Sequence, residues 1–212
     1  MTDLVDKNKN RRSKSKKRSK KTYDNDIKKI DKIFGYKEYY ISVDNSMLGD
    51  QYNLGYGEIK ADAMNTIVKF LKKIKYPLNT YIDLGCGNGR SLAYATTYGF
   101  RNAKGIEIVE KRYYQALDLI KQTKLNKIKI QNYDIFNLDK SYFPNKCVIF
   151  ISNLLFPKET TQKLIEFLSV KTLKCIIFMT VIPDNLYNFE LLDKITTPMS
   201  WCDTSSCYIL QN

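Results

Sequence analysis

The stretch that decides the fold is Tyr81-Ile-Asp-Leu-Gly-Cys-Gly-Asn-Gly-Arg90. A short apolar run leads to an acid, Asp83, and three alternating glycines follow before a segment with helical apolar spacing. Glycine lets the backbone approach a ligand closely and reach positive φ. A second acid, Glu107, ends the next apolar run, where a doubly wound α/β fold places a carboxylate on ribose hydroxyls. The pattern predicts an α/β domain with a ligand site at this turn.

The glycine spacing separates this turn from other nucleotide-binding turns. It reads Asp-x-Gly-x-Gly-x-Gly, whereas dinucleotide folds use Gly-x-Gly-x-x-Gly and phosphate loops continue into Gly-Lys-Ser/Thr. The arrangement resembles motif I and the acidic second loop of the class I S-adenosylmethionine-dependent methyltransferases. That resemblance implies S-adenosylmethionine as the cofactor and S-adenosylhomocysteine as its product.

Composition narrows the chemistry further. The chain has 212 residues, 43% of them hydrophobic, which is enough for one α/β domain with a core. There is no histidine, which excludes Ser-His-Asp triads, histidine-ligated metals and imidazole acid–base catalysis. The five cysteines show no paired metal-type spacing, so we expect reduced intracellular thiols and no metal. No apolar run reaches the length of about 18 residues that a membrane helix needs.

The net charge of +13 is concentrated at the N-terminus. Residues 1–22 hold ten basic side chains against Asp3 and Asp6. The ten are Lys7, Lys9, Arg11, Arg12, Lys14, Lys16, Lys17, Arg18, Lys20 and Lys21. A segment with so little to bury is predicted to be a disordered tail. Its charge indicates binding to nucleic acid or an acidic protein surface, or a nuclear-import or solubility role.

Hydrophobic periodicity predicts alternating strands and helices. We expect strands at 80–84, 103–108, 127–131, 147–152 and 173–181, separated by helices, and a terminal antiparallel pair at 190–195 and 207–210. This order is typical of a mostly parallel, seven-stranded sheet with helices on both faces. The predicted organisation is a basic tail at 1–22, a short helical segment and loop at 23–57, and a methyltransferase domain at 58–212.

Three further patches carry a narrower resemblance. They are Leu54-Gly-Tyr-Gly-Glu58, the run Val148–Phe156 with Asn153 at its exit, and Met199-Ser-Trp201 followed by Tyr208. Together they resemble the disruptor-of-telomeric-silencing family of histone lysine methyltransferases. The resemblance implies a nuclear enzyme that methylates a lysine in the globular core of nucleosomal histone H3. Its basic tail would bind nucleosomal DNA or the acidic histone surface, with no oligomer implied.

Carried over to this sequence, the resemblance implies three sets of site residues. The cofactor-binding set is Tyr56, Glu58, Asp83, Gly85, Gly87, Glu107, Asp134, Ile135 and Asn153. The substrate channel is lined by Phe156, Trp201 and Tyr208, and the catalytic residues are Asn153, Tyr208 and Tyr56.

Other functions remain open at this point. A nucleic-acid methyltransferase fits the basic tail, but Asn153-Leu-Leu-Phe156 lacks the two prolines of adenine-amino enzymes, and no proline precedes a cysteine as cytosine-carbon enzymes require. A methyltransferase of another protein or of a small molecule fits the core. A non-catalytic chromatin-binding module would keep the fold without needing the cofactor.

Overall fold

The fold is built on one seven-stranded sheet with the strand order β3-β2-β1-β4-β5-β7-β6. The structure, a computed structural model, describes residues 20–35, 57–169 and 175–212. The strands are β1 (Thr80–Leu84), β2 (Asn102–Glu107), β3 (Ile128–Asn132), β4 (Cys147–Ile151), β5 (Cys175–Met179), β6 (Glu190–Thr197) and β7 (Ser205–Gln211). The first five run parallel, whereas β7 is antiparallel to both of its neighbours. The carboxyl ends of β1 to β5 therefore meet at a single edge.

Within the described ranges, five α-helices cover the sheet. They are α1 (Lys20–Phe34), α2 (Ala61–Lys73), α3 (Arg90–Thr97), α4 (Glu110–Thr123) and α5 (Lys158–Ser169). The apolar sides of α1 to α4 pack in one buried cluster on one face. The other face is covered by α5 and by two 3₁₀ turns, Ile135–Asn137 and Lys140–Tyr142. Every residue of β1, β4 and β5 is buried, which explains why β4 and β5 are continuous apolar runs in the sequence.

The predicted elements agree with the structure in type and order. The strand predicted at 80–84 coincides with β1, and the terminal antiparallel pair is confirmed as β6 and β7. The amphipathic spacing after Tyr23 also predicts a helix, but α1 begins at Lys20. The last three residues of the predicted 1–22 tail are therefore helical, and the rest of that tail lies outside the described residues. Within the described ranges, no helix is long and apolar enough to cross a membrane.

Candidate functional site

A cavity of about 280 Å³ opens at the carboxyl edge of β1, β2 and β4. Its size is close to the lower end of the range for ligand pockets, about 300 Å³. The predicted site residues that line it are Glu58, Asp83, Gly85, Gly87, Glu107, Asp134, Ile135, Phe156 and Trp201. Most of the predicted residues therefore meet in one place, at the edge where α/β folds bind ligands.

The glycine turn after β1 forms one wall of the cavity. Both Gly85 and Cys86 donate their backbone N–H groups to the carbonyl of Ile106 at 2.9 Å, which folds the turn back over β2. Gly85 has φ +94°, a conformation that side chains with a Cβ rarely adopt. Gly105 on β2 makes room for the turn, because a Cβ there would lie 2.6 Å from the sulfur of Cys86.

Asp83, near the end of β1, has a carboxylate with only one of its two oxygens hydrogen-bonded among the described residues. The side chain is 3% exposed. Its Oδ2 accepts a hydrogen bond from the hydroxyl of Ser91, whereas Oδ1 has no partner among the described residues. Burial, with a smaller contribution from the charge of Glu107, raises the pKa of Asp83 to about 7. Buried polar atoms are nearly always hydrogen-bonded, so this oxygen fits a donor or cation supplied by a ligand.

Glu107 connects the end of β2 to the glycine turn. Its Oε2 accepts a hydrogen bond from the backbone N–H of Gly87 at 2.8 Å, and its Oε1 accepts one from Val109 at 2.9 Å. Burial raises the pKa of this carboxyl, and the backbone donors partly oppose that rise. Each carboxylate oxygen has a second lone pair, so Glu107 can accept ribose hydroxyls, as predicted, while it holds the turn.

The segment after β3 forms another wall of the cavity. Asp134 caps the first 3₁₀ turn, with Oδ1 accepting from the backbone N–H of Phe136 at 2.9 Å. Ile135 and Phe136 both line the cavity. Sequence reasoning missed Phe136, although an aromatic residue two positions after the acid was a readable signal. Its ring adds apolar surface suited to a flat heterocycle.

A buried cluster around Arg90 fixes the position of Glu58. The guanidinium of Arg90 is buried in the first turn of α3, and its Nε lies 3.0 Å from Oε2 of Glu58. Asn88 donates a hydrogen bond to the other oxygen of Glu58. On the far side, Arg90 stacks over the ring of Phe34 at 5.5 Å and donates to the carbonyl of Gly35. Sequence reasoning did not identify Asn88 or Arg90, because their partners are distant in the chain.

Two predicted patches far apart in sequence form one wall together. The backbone N–H of Glu58 donates to the hydroxyl of Ser200, and the N–H of Ser200 donates to the carbonyl of Glu58, both at 2.8 Å. This pairing presses Trp201 against Gly57, where a Cβ would lie 2.3 Å from the indole. The structure thus brings Glu58 and Trp201 to the cavity as predicted. Tyr56, predicted beside them, lies outside the described residues.

Two predicted site residues, Asn153 and Tyr208, are not brought to the cavity. Neither is among the described residues that line the cavity. Asn153 is fully buried, and its Oδ1 accepts hydrogen bonds from the backbone N–H groups of Thr180 and Val181 just beyond β5; its catalytic and cofactor-binding roles stay predictions. Tyr208 lies on β7 opposite Met179, with the ammonium of Lys194 5.1 Å from the centre of its ring. Ser152, Leu154 and Leu155 line the cavity in their place.

The cavity fits S-adenosylmethionine by the character of its walls. The unpartnered oxygen of Asp83 and the carboxylate of Glu58 suit the positively charged methionine end. Glu107 suits the ribose, and the apolar side chains of Ile135 and Phe136 suit the adenine. Gly85 has no side chain to fill the space between these groups, and its positive φ disfavours any residue with a Cβ at this position.

Comparison with known proteins agrees with this fit. No protein-family model matches the chain. It is 27% identical over 167 residues to the EEF1A lysine methyltransferase 2 of Homo sapiens, a match covering 71% of this chain and 70% of that protein. The solved magnesium protoporphyrin IX methyltransferase of Synechocystis, with bound S-adenosylhomocysteine, is similar in structure with a TM-score of 0.55. That match has 14% identity and covers 72% of this chain and 83% of the other.

A second solved structure, an S-adenosylmethionine-dependent methyltransferase from Clostridium acetobutylicum, gives a TM-score of 0.54 at 12% identity. It covers 71% of this chain and 90% of the other. The resemblance to the disruptor-of-telomeric-silencing family is wrong, because the curated relative belongs to a different methyltransferase family. The predicted fold class is confirmed: the chain has the class I methyltransferase fold. The predicted cofactor, S-adenosylmethionine, is supported by the fit of the cavity and by the S-adenosylhomocysteine bound in the solved Synechocystis enzyme.

Proposed function

We propose that this protein is a protein-lysine N-methyltransferase, and that EEF1A or a similar folded protein is its substrate. The name of the human relative supports a protein lysine as the acceptor. The observation that carries the proposal is the apolar mouth of the cavity. The nucleosomal histone H3 substrate implied by the earlier resemblance loses its support together with that resemblance.

The mouth of the cavity is apolar and leads to an acidic floor. Leu154 and Leu155 are 47% and 44% exposed, and both line the cavity. Phe156 and the partly exposed Trp201 complete the rim, and Asp83 lies deeper. A lysine side chain has an apolar stem of four methylene groups and a single nitrogen at its end. The rim suits the stem, and the acids beyond it suit the positively charged end of the cofactor, so the nitrogen would stop among the apolar side chains.

The residues of this chain prepare the acceptor and do not form bonds with it. When bound, S-adenosylmethionine would supply a sulfonium methyl group: the N–CH3 bond would form as the S–CH3 bond breaks, S-adenosylhomocysteine would leave, and the methylated nitrogen would release a proton to solvent. The lysine must be neutral, and with a pKa of about 10.4 it is neutral in only about one molecule in a thousand near neutral pH. Enclosure by Leu154, Leu155 and Phe156 disfavours the ammonium and lowers that pKa. Holding the nitrogen in line supplies most of the remaining acceleration.

A methyl-transfer assay tests the proposal. Purified EEF1A, nucleosomes, free histones and RNA are each incubated with the full chain and S-adenosylmethionine carrying a labelled methyl group. We expect label on a lysine of EEF1A, located by mass spectrometry, and none on RNA. The Gly85→Gln variant is the matched control for contaminating activity. Label on nucleosomes or RNA alone would contradict the proposed substrate, and unlabelled proteins throughout would contradict the lysine acceptor.

A further inference from the structure

The edge of the sheet opposite the cavity carries a separate cluster of charge. The chain crosses this amino edge in the connections that enter β1, β2, β3 and β4, at residues 72–79, 98–101, 121–127 and 143–146. We call their basic residues the amino-edge surface. They are Lys72, Lys73, Lys75, Arg101, Lys121, Lys124, Lys127 and Lys146, and all eight are exposed.

The amino-edge surface is predominantly basic, although Asp118 lies three residues before Lys121 and Asp24 lies beside Tyr23 at the start of α1. The four connections contain neither aspartate nor glutamate. Among the described residues, none of the eight basic side chains forms an ion pair; the ion pairs there join Lys60, Arg90 and Lys158 to acids elsewhere. An ordinary solvated surface mixes both signs of charge. A predominantly basic surface spanning about 14 Å, three inter-strand spacings of about 4.8 Å, favours a partner of opposite charge.

Three of these lysines occupy backbone positions that disfavour them. Lys75, Lys124 and Lys146 have φ of 57°, 61° and 60°, in the left-handed region. A residue with a Cβ is strained there, and glycine or asparagine is the usual occupant. Attraction to a helix C-terminus applies to Lys75 and Lys124, but Lys146 enters β4 without a preceding α-helix. Lysine at all three positions adds positive charge to this edge, although it strains the local backbone.

The start of α1 adds to the same edge. Tyr23 stacks against Tyr98, whose connection enters β2, with ring centroids 6.3 Å apart. The other end of α1 contacts Arg90 at the cavity edge, so the helix runs from the amino edge to the cavity. Nineteen residues precede Lys20, and eight of them are lysine or arginine. The most basic part of the sequence is therefore joined to the chain beside the amino-edge surface.

We propose that the amino-edge surface binds the phosphate backbone of duplex RNA. The aromatic side chains of its connections are buried or half-buried, so it has no exposed ring on which the bases of a single strand would stack. Within these connections, no helix or hairpin projects to enter the major groove of DNA. Contacts confined to phosphates and 2′-hydroxyls are typical of duplex-RNA recognition. Because the cavity lies at the opposite edge, RNA and the methyl acceptor can bind together.

The left-handed lysines allow a test that spares the fold. In the full chain, Lys75→Gly, Lys124→Gly and Lys146→Gly are combined. Glycine suits positive φ, so this variant loses three charges without backbone strain. The matched control loses three exposed charges elsewhere, through Lys111→Gln, Lys163→Gln and Lys194→Gln. Fluorescence anisotropy then measures binding of a short RNA duplex of mixed sequence, and of the DNA duplex of the same sequence, across a salt series.

We expect the glycine variant to bind the RNA duplex at least tenfold more weakly at low salt. The slope of log affinity against log salt should fall by about 2–3, close to 0.9 for each phosphate that is no longer neutralised. Binding of S-adenosylmethionine should be unchanged, which separates this result from a failure of the proposed enzymatic function. Unchanged RNA affinity and slope would overturn the proposal, as would an equal loss in the control variant. Equal affinity for the DNA duplex would overturn the assignment to RNA.

Discussion

The exits of β1 and β4 lie side by side, yet they present their polar residues in opposite directions. Asp83 pairs in register with Phe150, so the two strands leave the sheet at the same level. At β1 the acid Asp83 lines the cavity with one oxygen unpartnered among the described residues. At β4 the amide of Asn153 is fully used inside the protein. A polar residue at a strand exit is therefore close to the site, but its position alone does not give its direction.

The neighbouring strand ends explain the difference. Beyond the last pair of β5, the N–H groups of Thr180 and Val181 need acceptors, and Oδ1 of Asn153 accepts both at 3.0 Å. Its Nδ2 donates to the carbonyl of Val181 at 2.8 Å. Beside β1, the two N–H groups at the start of the glycine turn are satisfied by the carbonyl of Ile106. Asp83 is thus left available for a ligand, because the buried backbone N–H groups beside it already have an acceptor.

The largest effect should come from filling the cavity at the β1 exit. A Cβ at Gly85 would point at the ring of Phe156, 3.9 Å away across the cavity. We expect Gly85→Gln to abolish S-adenosylmethionine binding measured by calorimetry. Gly99→Gln is the matched control, since Gly99 also has positive φ, at +116°, but lies outside the cavity lining. Both variants should lose similar stability, so intact binding by a folded Gly85→Gln protein would refute the site.

The second effect is a pH dependence at Asp83. Its pKa is 3.8 ordinarily and about 7 in the folded protein. Between these values the folded protein holds a proton that the unfolded chain has released, so the free energy of unfolding falls as the pH rises. Linkage puts the total at roughly 4 kcal/mol. Urea titrations of the cofactor-free protein from pH 4 to pH 8 should show this fall, and Asp83→Asn should flatten it.

The cofactor should respond to pH in the opposite sense. A cationic ligand favours the ionised form of Asp83, so the affinity for S-adenosylmethionine should rise through pH 7 and then level off. Asp118 is an exposed carboxylate on α4, and Asp118→Asn is the matched control. This variant should show the same pH dependence of unfolding and of cofactor affinity as the unchanged protein. A pH-independent affinity would mean that the cofactor does not contact Asp83.

The third effect tests the β4 exit. Asn153→Ala leaves the N–H groups of Thr180 and Val181 without their acceptor. At about 1–3 kcal/mol for each unsatisfied buried group, we expect a loss of about 3 kcal/mol in the free energy of unfolding. Asn153→Ala should also loosen the Ser152–Phe156 wall of the cavity. We expect this to raise the KM and to change the turnover number little. Normal stability with abolished turnover would instead support the catalytic role predicted for Asn153 from sequence.

The contrast between the two exits also marks what could be predicted from sequence. The order of strands and helices, the glycine turn and the acids Asp83 and Glu107 could be predicted, because hydrophobic period and glycine spacing are local properties. The direction of Asn153 could not, since it depends on Thr180 and Val181, 27 and 28 residues further on. The ion pair of Arg90 with Glu58 spans a similar separation. Long-range partners decide side-chain roles, and short motifs do not reveal them.

The smallest effect concerns the wall that joins Gly57 and Trp201. Trp201 covers Gly57 so closely that Gly57→Ala should push the indole away and raise the KM for the protein substrate several-fold, which corresponds to about 1 kcal/mol. Trp201→Ala alone should raise it by a similar factor, because the rim loses its largest apolar side chain. In the double variant the clash is absent, so the second change should add almost nothing, giving a coupling energy of about 1 kcal/mol. Steady-state kinetics on the four proteins measures this cycle, and strictly additive effects would show that Trp201 does not rest on Gly57 in solution.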